Sequence, residues 1–240
     1  AEDNRIKLQL LTPPRGQILD RHAAPLATNQ KNFRLLLEAD YRQDIAALVE
    51  RLSAFIEMDT ARREDIIAHM RASRYPPPYL LKEYLPWEMV AKLEFHKSEL
   101  PGVAIDVGQV RHYPLGMHAA HLLGYVGAVS EEELKDRSLL RLPGFKTGKE
   151  GVEKRKEAPL RGTPGVRQME VNVHGLAIRQ VRQRDSMPGE DMRLTIDAQL
   201  QQFAAERFGE ESGAAVVLDV KTGQVLALTS MPAYDPNQFS

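Results

Sequence analysis

The 240-residue chain contains no cysteine. That excludes a disulfide framework and a thiolate metal site, and it leaves the compartment open. Long apolar runs are also missing. None exceeds Ala214–Leu218, whereas a membrane-spanning helix needs about 18 or more such residues. No signal peptide is visible, and Ala1-Glu2-Asp3-Asn4 reads as a start cut from within a longer protein. Nor does one sign of charge dominate. Lys and Arg number 32 against 33 Asp and Glu, a net charge of −1, which argues against a general nucleic-acid binder. What remains is an ordinary globular composition, 42% hydrophobic and 27% charged. The length fits one large domain or two small ones.

Hydrophobic spacing predicts mixed elements. Arg5–Leu10 alternates with period two, as a half-buried strand does. Gln17–Leu19 and Asn32–Leu37 read as short strands around an Ala/Pro turn. Ile45, Leu48, Val49, Leu52 and Ile56 line one face of a helix over Tyr41–Ile56. Asp59 or Thr60 caps a second helix reaching Arg71, and the prolines at 76–78 end it. Tyr79–Tyr84 is a strand, Pro86 opens a third helix to about Lys97, and Val103–Val110 is a further strand. Ser130 and Glu133 form a capping box for a short helix to Arg137. Arg167–Val173 and Leu176–Val181 flank a His174-Gly175 hairpin signal. Between Arg141 and Arg167, 8 Lys and Arg face 3 Glu. Such a stretch suits an anionic polymer or lipid headgroup, although a solvated loop with local pairing is the plainer reading.

The pattern changes near Met187–Asp191, where a domain boundary is expected. Met192–Thr195 is a strand, and Asp197 caps a helix with a stripe of Leu200, Phe203, Ala204 and Phe208. Ala214–Leu218 and Val225–Leu228 are apolar strands joined by a turn over Asp219–Gly223. Strands this apolar expect cover on both faces, and too few residues follow to give it. The hairpin is therefore disordered, self-paired or covered by a neighbouring chain.

Four sets of residues then fall in a telling order. The first is Arg15-Gly16-Gln17-Ile18-Leu19-Asp20-Arg21 with Leu26-Ala27. The second is Arg111-His112-Tyr113-Pro114-Leu115-Gly116, with His121 and Gly124-Tyr125. The third is Gly148, Gly151, Glu153, Leu160, Gly162 and Gly165. The last comprises Leu194-Thr195-Ile196-Asp197, Leu200-Gln201 and the tail Pro232–Asn237. Together they resemble the class B penicillin-binding proteins, which build bacterial cell wall, and within them the elongation-specific group. The first three resemble that family's N-terminal motifs and the fourth its entry into the transpeptidase domain. Two departures stand out. His22-Ala23 replaces a frequent Asn-Gly, and Lys154-Arg155-Lys156 follows Glu153 where an aromatic is frequent.

The resemblance implies an α+β fold. An elongated non-catalytic pedestal occupies residues 1–190, with a helical head insertion at about 40–100. Residues 191–240 are then the first helix and β-hairpin of a truncated transpeptidase domain. It further implies a parent protein that performs peptidoglycan D,D-transpeptidation: a serine is acylated by a stem peptide, and the acyl group passes to a neighbouring amine. The parent sits in the periplasm on an inner-membrane anchor, with an MreC-type scaffold protein and a RodA-like SEDS glycan polymerase as partners. No cofactor is implied, and the peptide substrate is met only through the domain absent here.

The chemistry of that reaction needs Ser-x-x-Lys, Ser-x-Asn and Lys-Thr-Gly. No serine here has lysine three residues on or asparagine two residues on, and a serine without an adjacent base is a poor nucleophile. The chain alone is expected to be inactive. Two Lys-Thr-Gly triplets occur, Lys146–Gly148 in a basic loop and Lys221–Gly223 in a hairpin turn, and neither is expected to be catalytic. His112, His118 and His121 are expected to be hydrogen-bonded structural histidines rather than metal ligands. Because a buried arginine needs a partner, Arg15 or Arg21 is expected to make a bidentate pair with Glu153. A standalone periplasmic interaction module without an enzymatic parent is the second reading, and an enzyme with its own site here is the third. The length of the encoding reading frame separates the first two.

Overall fold

A computed structural model describes residues 5–38, 44–72, 78–130, 145–171 and 177–239. The expected helix Ser130–Arg137 and the His174-Gly175 turn lie outside the described residues. The fold is α+β, and its axis is one long strand. After β1 (Arg5–Leu11) and the short β2 (Ile18–Leu19), β3 runs from Pro25 to Leu37. Sequence spacing picks out only the distal part of β3, because Thr28–Lys31 is polar and only partly covered. Backbone pairing rather than side-chain burial holds that proximal part.

The distal end of β3 enters one core. There Leu35, Leu37 and Leu81 pack with α1 (Ile45–Leu52), α2 (Thr60–Arg71), β4 (Tyr79–Lys82) and α3 (Trp87–Phe95). The predicted stripe Ile45, Leu48, Val49 and Leu52 is buried as its period demands. The Asp44 carboxylate accepts from the Ala47 amide at 3.1 Å and fixes the first turn of α1 at Ile45, and the helix ends at Leu52 rather than at the expected Ile56, while Tyr41 lies outside the described residues. Asp59 caps α2 through the Arg62 amide at 2.8 Å, as expected.

The chain returns through β5 (Val103–His112), antiparallel to β3 from Leu37 opposite Val103 to Thr28 opposite His112. Outward and return strands meet at the Glu38 amide, which donates to the Gly102 carbonyl at 2.6 Å. The proximal end of β3 enters a second core of Ile18, Leu26, Ala27, Tyr113, Ala119, Leu123, Leu160 and Ile196. Around it lie a 3-10 turn at Gly116–Ala119, α4 (Ala120–Leu123), β6 (Val126–Ala128), β7 (Lys146–Gly148), α5 (Gly151–Arg155) and α6 (Glu157–Arg161). The triplet Lys146–Gly148 is thus a strand paired with β6, not the loop expected from its basic surroundings. Thr147 is buried and Lys146 is neutralised by Glu83 of the distal part at 3.0 Å, which removes the charge that made the segment look solvated.

Strands β8 (Gly165–Val171) and β9 (Ala177–Arg184) form an antiparallel sheet with β1. The chain then passes through β10 (Met192–Arg193), parallel to β2, into α7 (Ala198–Glu206), β11 (Gly213–Leu218) and β12 (Val225–Met231). The hairpin β11–β12 is self-paired. Helix α7 covers one of its faces, and Ala214, Val216 and Leu218 are exposed on the other. The face of α7 differs from the expected stripe. Gln201 and Ala205 are buried, whereas Phe203 is 52% exposed.

Candidate functional site

The three N-terminal motifs converge on one carboxylate. Glu153, on α5, has no solvent exposure. Its Oε2 accepts from Arg15 Nε at 2.8 Å and lies 2.6 Å from Arg15 Nη2. Its Oε1 accepts from Arg111 Nε at 2.7 Å. The expected pair with Arg15 is therefore present, but it is not the fork-to-fork bidentate pair expected: both Arg15 nitrogens meet one oxygen, because Arg111, a second partner that spacing did not reveal, holds the other, and Arg21 takes no part. Glu157 joins at 2.8 Å from Arg15 Nη2 and accepts from the Gly148 amide. Two guanidiniums thus face two carboxylates, and the buried charge sums to zero, the condition under which such a group tolerates desolvation. Burial works against the Arg15 charge, yet Glu153 and then Glu157 outweigh it and hold its pKa above the ordinary arginine value.

Backbone and amide groups complete the set. Arg111 Nη1 donates to the Gly16 carbonyl at 2.8 Å and to Asn29 Oδ1 at 3.1 Å, and Asn29 Nδ2 donates to the Arg15 carbonyl at 2.5 Å. The Tyr113 hydroxyl accepts from the Val126 amide at 3.1 Å and points at Glu153 Oε1 from 3.5 Å. Glycines let the segments approach this closely. A Cβ on Gly16 would sit 2.0 Å from the Glu190 carbonyl oxygen. Gly124 (φ 72°) and Gly151 (φ 55°) join α4 to α5 back to back, in a conformation that side chains resist. Gly162 and Gly165 run against the backbone at Met187 and Arg184, Gly116 opens the 3-10 turn, and Pro114 is exposed beside it.

A second cluster joins the first motif to α7. Asp20 Oδ1 accepts from the His22 and Ala24 amides, each at 2.7 Å, and Oδ2 accepts from the Ala198 amide at 3.1 Å. Burial alone would raise this carboxyl. The three amides, with His22 nearby, overcome that and place its pKa below the usual value. The Arg21 amide donates to the Ile196 carbonyl at 2.8 Å. Ala23, where the family often has glycine, adopts φ 67° in the tight turn that follows.

The tail closes on the second motif. Asn237 Oδ1 accepts from the Tyr113 amide at 2.9 Å, and its Nδ2 donates to the Tyr113 carbonyl at 3.1 Å. His121 Nε2 lies 3.2 Å from the Pro232 carbonyl, and its ring meets Tyr234 edge-on at 5.5 Å. The Tyr234 hydroxyl donates to Glu150 at 3.2 Å. Burial, and then the Glu150 charge, push that phenol up to about 12. Asn29, Asn237 and Gln201 escape residue-by-residue reading because distant partners bury Gln201 fully and half-bury the two asparagines. Only their neighbourhood in the motifs points to them.

A charge-neutral centre assembled from three distant stretches, with its polar groups spent on one another and on backbone, defines a structural module. Comparison with known proteins specifies it. Residues 10–194 match the penicillin-binding protein dimerisation domain, and the chain belongs to that family. It is 34% identical over 241 residues to the peptidoglycan D,D-transpeptidase MrdA of Acinetobacter baumannii, across 100% of this chain and 36% of that protein. For MrdA of Escherichia coli K12 the figures are 32% over 248 residues, 100% and 38%. The chain thus spans little more than a third of these relatives. A structure of the complex between penicillin-binding protein 2 and MreC from Helicobacter pylori matches with a TM-score of 0.78 at 27% identity, over 98% of this chain and 44% of that one.

Proposed function

We propose that this chain is the non-catalytic periplasmic pedestal of a peptidoglycan D,D-transpeptidase acting in cell-wall elongation and cell shape. Residues 1–190 form the pedestal and 191–240 begin the catalytic domain that it positions. The observation that carries this reading is the Glu153 centre, which welds Arg15, Arg111 and the glycine-lined turns into one rigid base beneath α7 and the tail. Its motif residues hold the scaffold in place rather than react. The parent is anchored in the inner membrane, and its partners are an MreC-type scaffold and a RodA-like glycan polymerase.

The distal part supports a protein partner. Trp87, Ala91 and Phe95 recur every fourth residue on the outer face of α3. Trp87 is 67% exposed and Phe95 83%, with Tyr84 53% exposed just before the helix. Monomeric surfaces seldom leave such aromatics in water, and aromatic residues dominate the energetics of interfaces. The MreC-type protein is expected to dock there. The test is a pull-down of the organism's own MreC-type protein with this chain and with a Trp87→Ala/Phe95→Ala variant. Capture by the parent chain and a loss of tenfold or more in the variant is expected, while equal capture overturns the docking face. Labelled penicillin is expected to leave the 240-residue chain unmodified, and acylation of it would overturn the non-catalytic reading.

A further inference from the structure

We propose that Asn237 is a positioning residue that ties the catalytic domain to the Glu153 centre. The inference rests on the reading above that a catalytic domain follows the tail. The tail has two independent grips on the centre. Through Asn237 it clasps the backbone of Tyr113 in both directions, and the Tyr113 side chain, 1% exposed, reaches Val126 and Glu153. Through Tyr234 it bonds Glu150, the residue that precedes the helix bearing Glu153. An aromatic cluster of Tyr125, Tyr234 and Phe239, with centroids 4.8–5.8 Å apart, packs beside the joint.

The amide orientation of Asn237 is fixed by its partners. Nδ2 faces two acceptors, the Tyr113 carbonyl and Asp235 Oδ1 at 2.9 Å, and only the opposite atom can accept from the Tyr113 amide. Aspartate has the same shape but no donor. At this position it would set an oxygen against a carbonyl and a carboxylate, so Asn237→Asp opens the clasp without altering its volume. A displacement of the Glu153 centre, as in Arg15→Lys, is felt by the same clasp from the other end.

In the 240-residue chain, hydrogen exchange of the Tyr113 amide reads the clasp. Arg15→Lys is expected to speed that exchange about tenfold, whereas Ile66→Ala, which weakens the distant core, leaves it within twofold. Equal acceleration by both variants, or none with Arg15→Lys, overturns the coupling. In the longer protein, Asn237→Asp is expected to slow acylation by labelled penicillin at least tenfold, with an unchanged unfolding midpoint, and Asn237→Ser by less. Acylation at the parent rate overturns the positioning role. If the longer parent protein itself takes up no penicillin, the reading of the catalytic parent falls, while the exchange experiment still decides the coupling.

Discussion

At the scale of single residues, Asp20 makes acid stability measurable. Its carboxylate accepts three backbone amides and its folded pKa lies below the unfolded value. A depressed carboxyl stabilises the fold fully above the unfolded pKa, near 3.8, and that contribution is lost as pH falls through the folded value. A carboxamide at this position has one acceptor oxygen and could not serve all three amides. Asp20→Asn is therefore expected to cost about 2 kcal/mol at pH 7 and progressively less below pH 4, as read by urea titrations. A gap that stays constant to pH 2.5 would count against this origin. Sequence order announced Asp20, Arg15 and Glu153 as a set. It did not announce that Arg111 shares Glu153, because which cation reaches a buried carboxylate is decided by the register of β3 with β5, which sets Arg111 opposite Asn29 and brings it to a helix far along the chain.

At the scale of elements, periodicity read α1 well and α7 less well. Helix α1 buries the side chains its spacing selects, since apolar contact is its only demand. Helix α7 turns a different face inward because of Gln201. This fully buried amide donates to the His118 carbonyl at 2.7 Å and the Leu228 carbonyl at 2.8 Å, and accepts from the Leu228 amide at 2.8 Å. One side chain thereby satisfies β12 and the 3-10 turn together, and Phe203 is left toward solvent. A hydrophobicity pattern counts glutamine as an outward residue, so the rotation is invisible to it. Gln201→Leu is expected to destabilise the chain by about 2–4 kcal/mol, since it strands an amide and two carbonyls. Denaturant unfolding checks the loss, and a change below about 0.5 kcal/mol would show that water replaces the lost partners. The fate of the hairpin β11–β12 could be narrowed from sequence only to three alternatives, because self-pairing is a register question and the cover on one face comes from α7.

At the scale of the whole molecule, the two cores divide the work. The distal core holds Leu48 at 1% exposure among helices, and the proximal core holds the motifs. Leu48→Ala is expected to cost the distal core about 2–5 kcal/mol. Fluorescence of Trp87, the single tryptophan, should then report unfolding at lower denaturant, while amides of β8 keep their protection. Equal losses at both places would mean that the cores unfold as one unit. The joint at Leu37 and Val103 bears on descent. In topology the distal part is inserted between β3 and β5, and its β4 pairs with β3 along Leu35–Leu37. A lineage can lengthen or recolour the segments beyond that pairing without shifting the β3–β5 register behind it. The outer face of α3 can therefore change without disturbing Arg15, Arg111 and Glu153 at the other end of the strand pair.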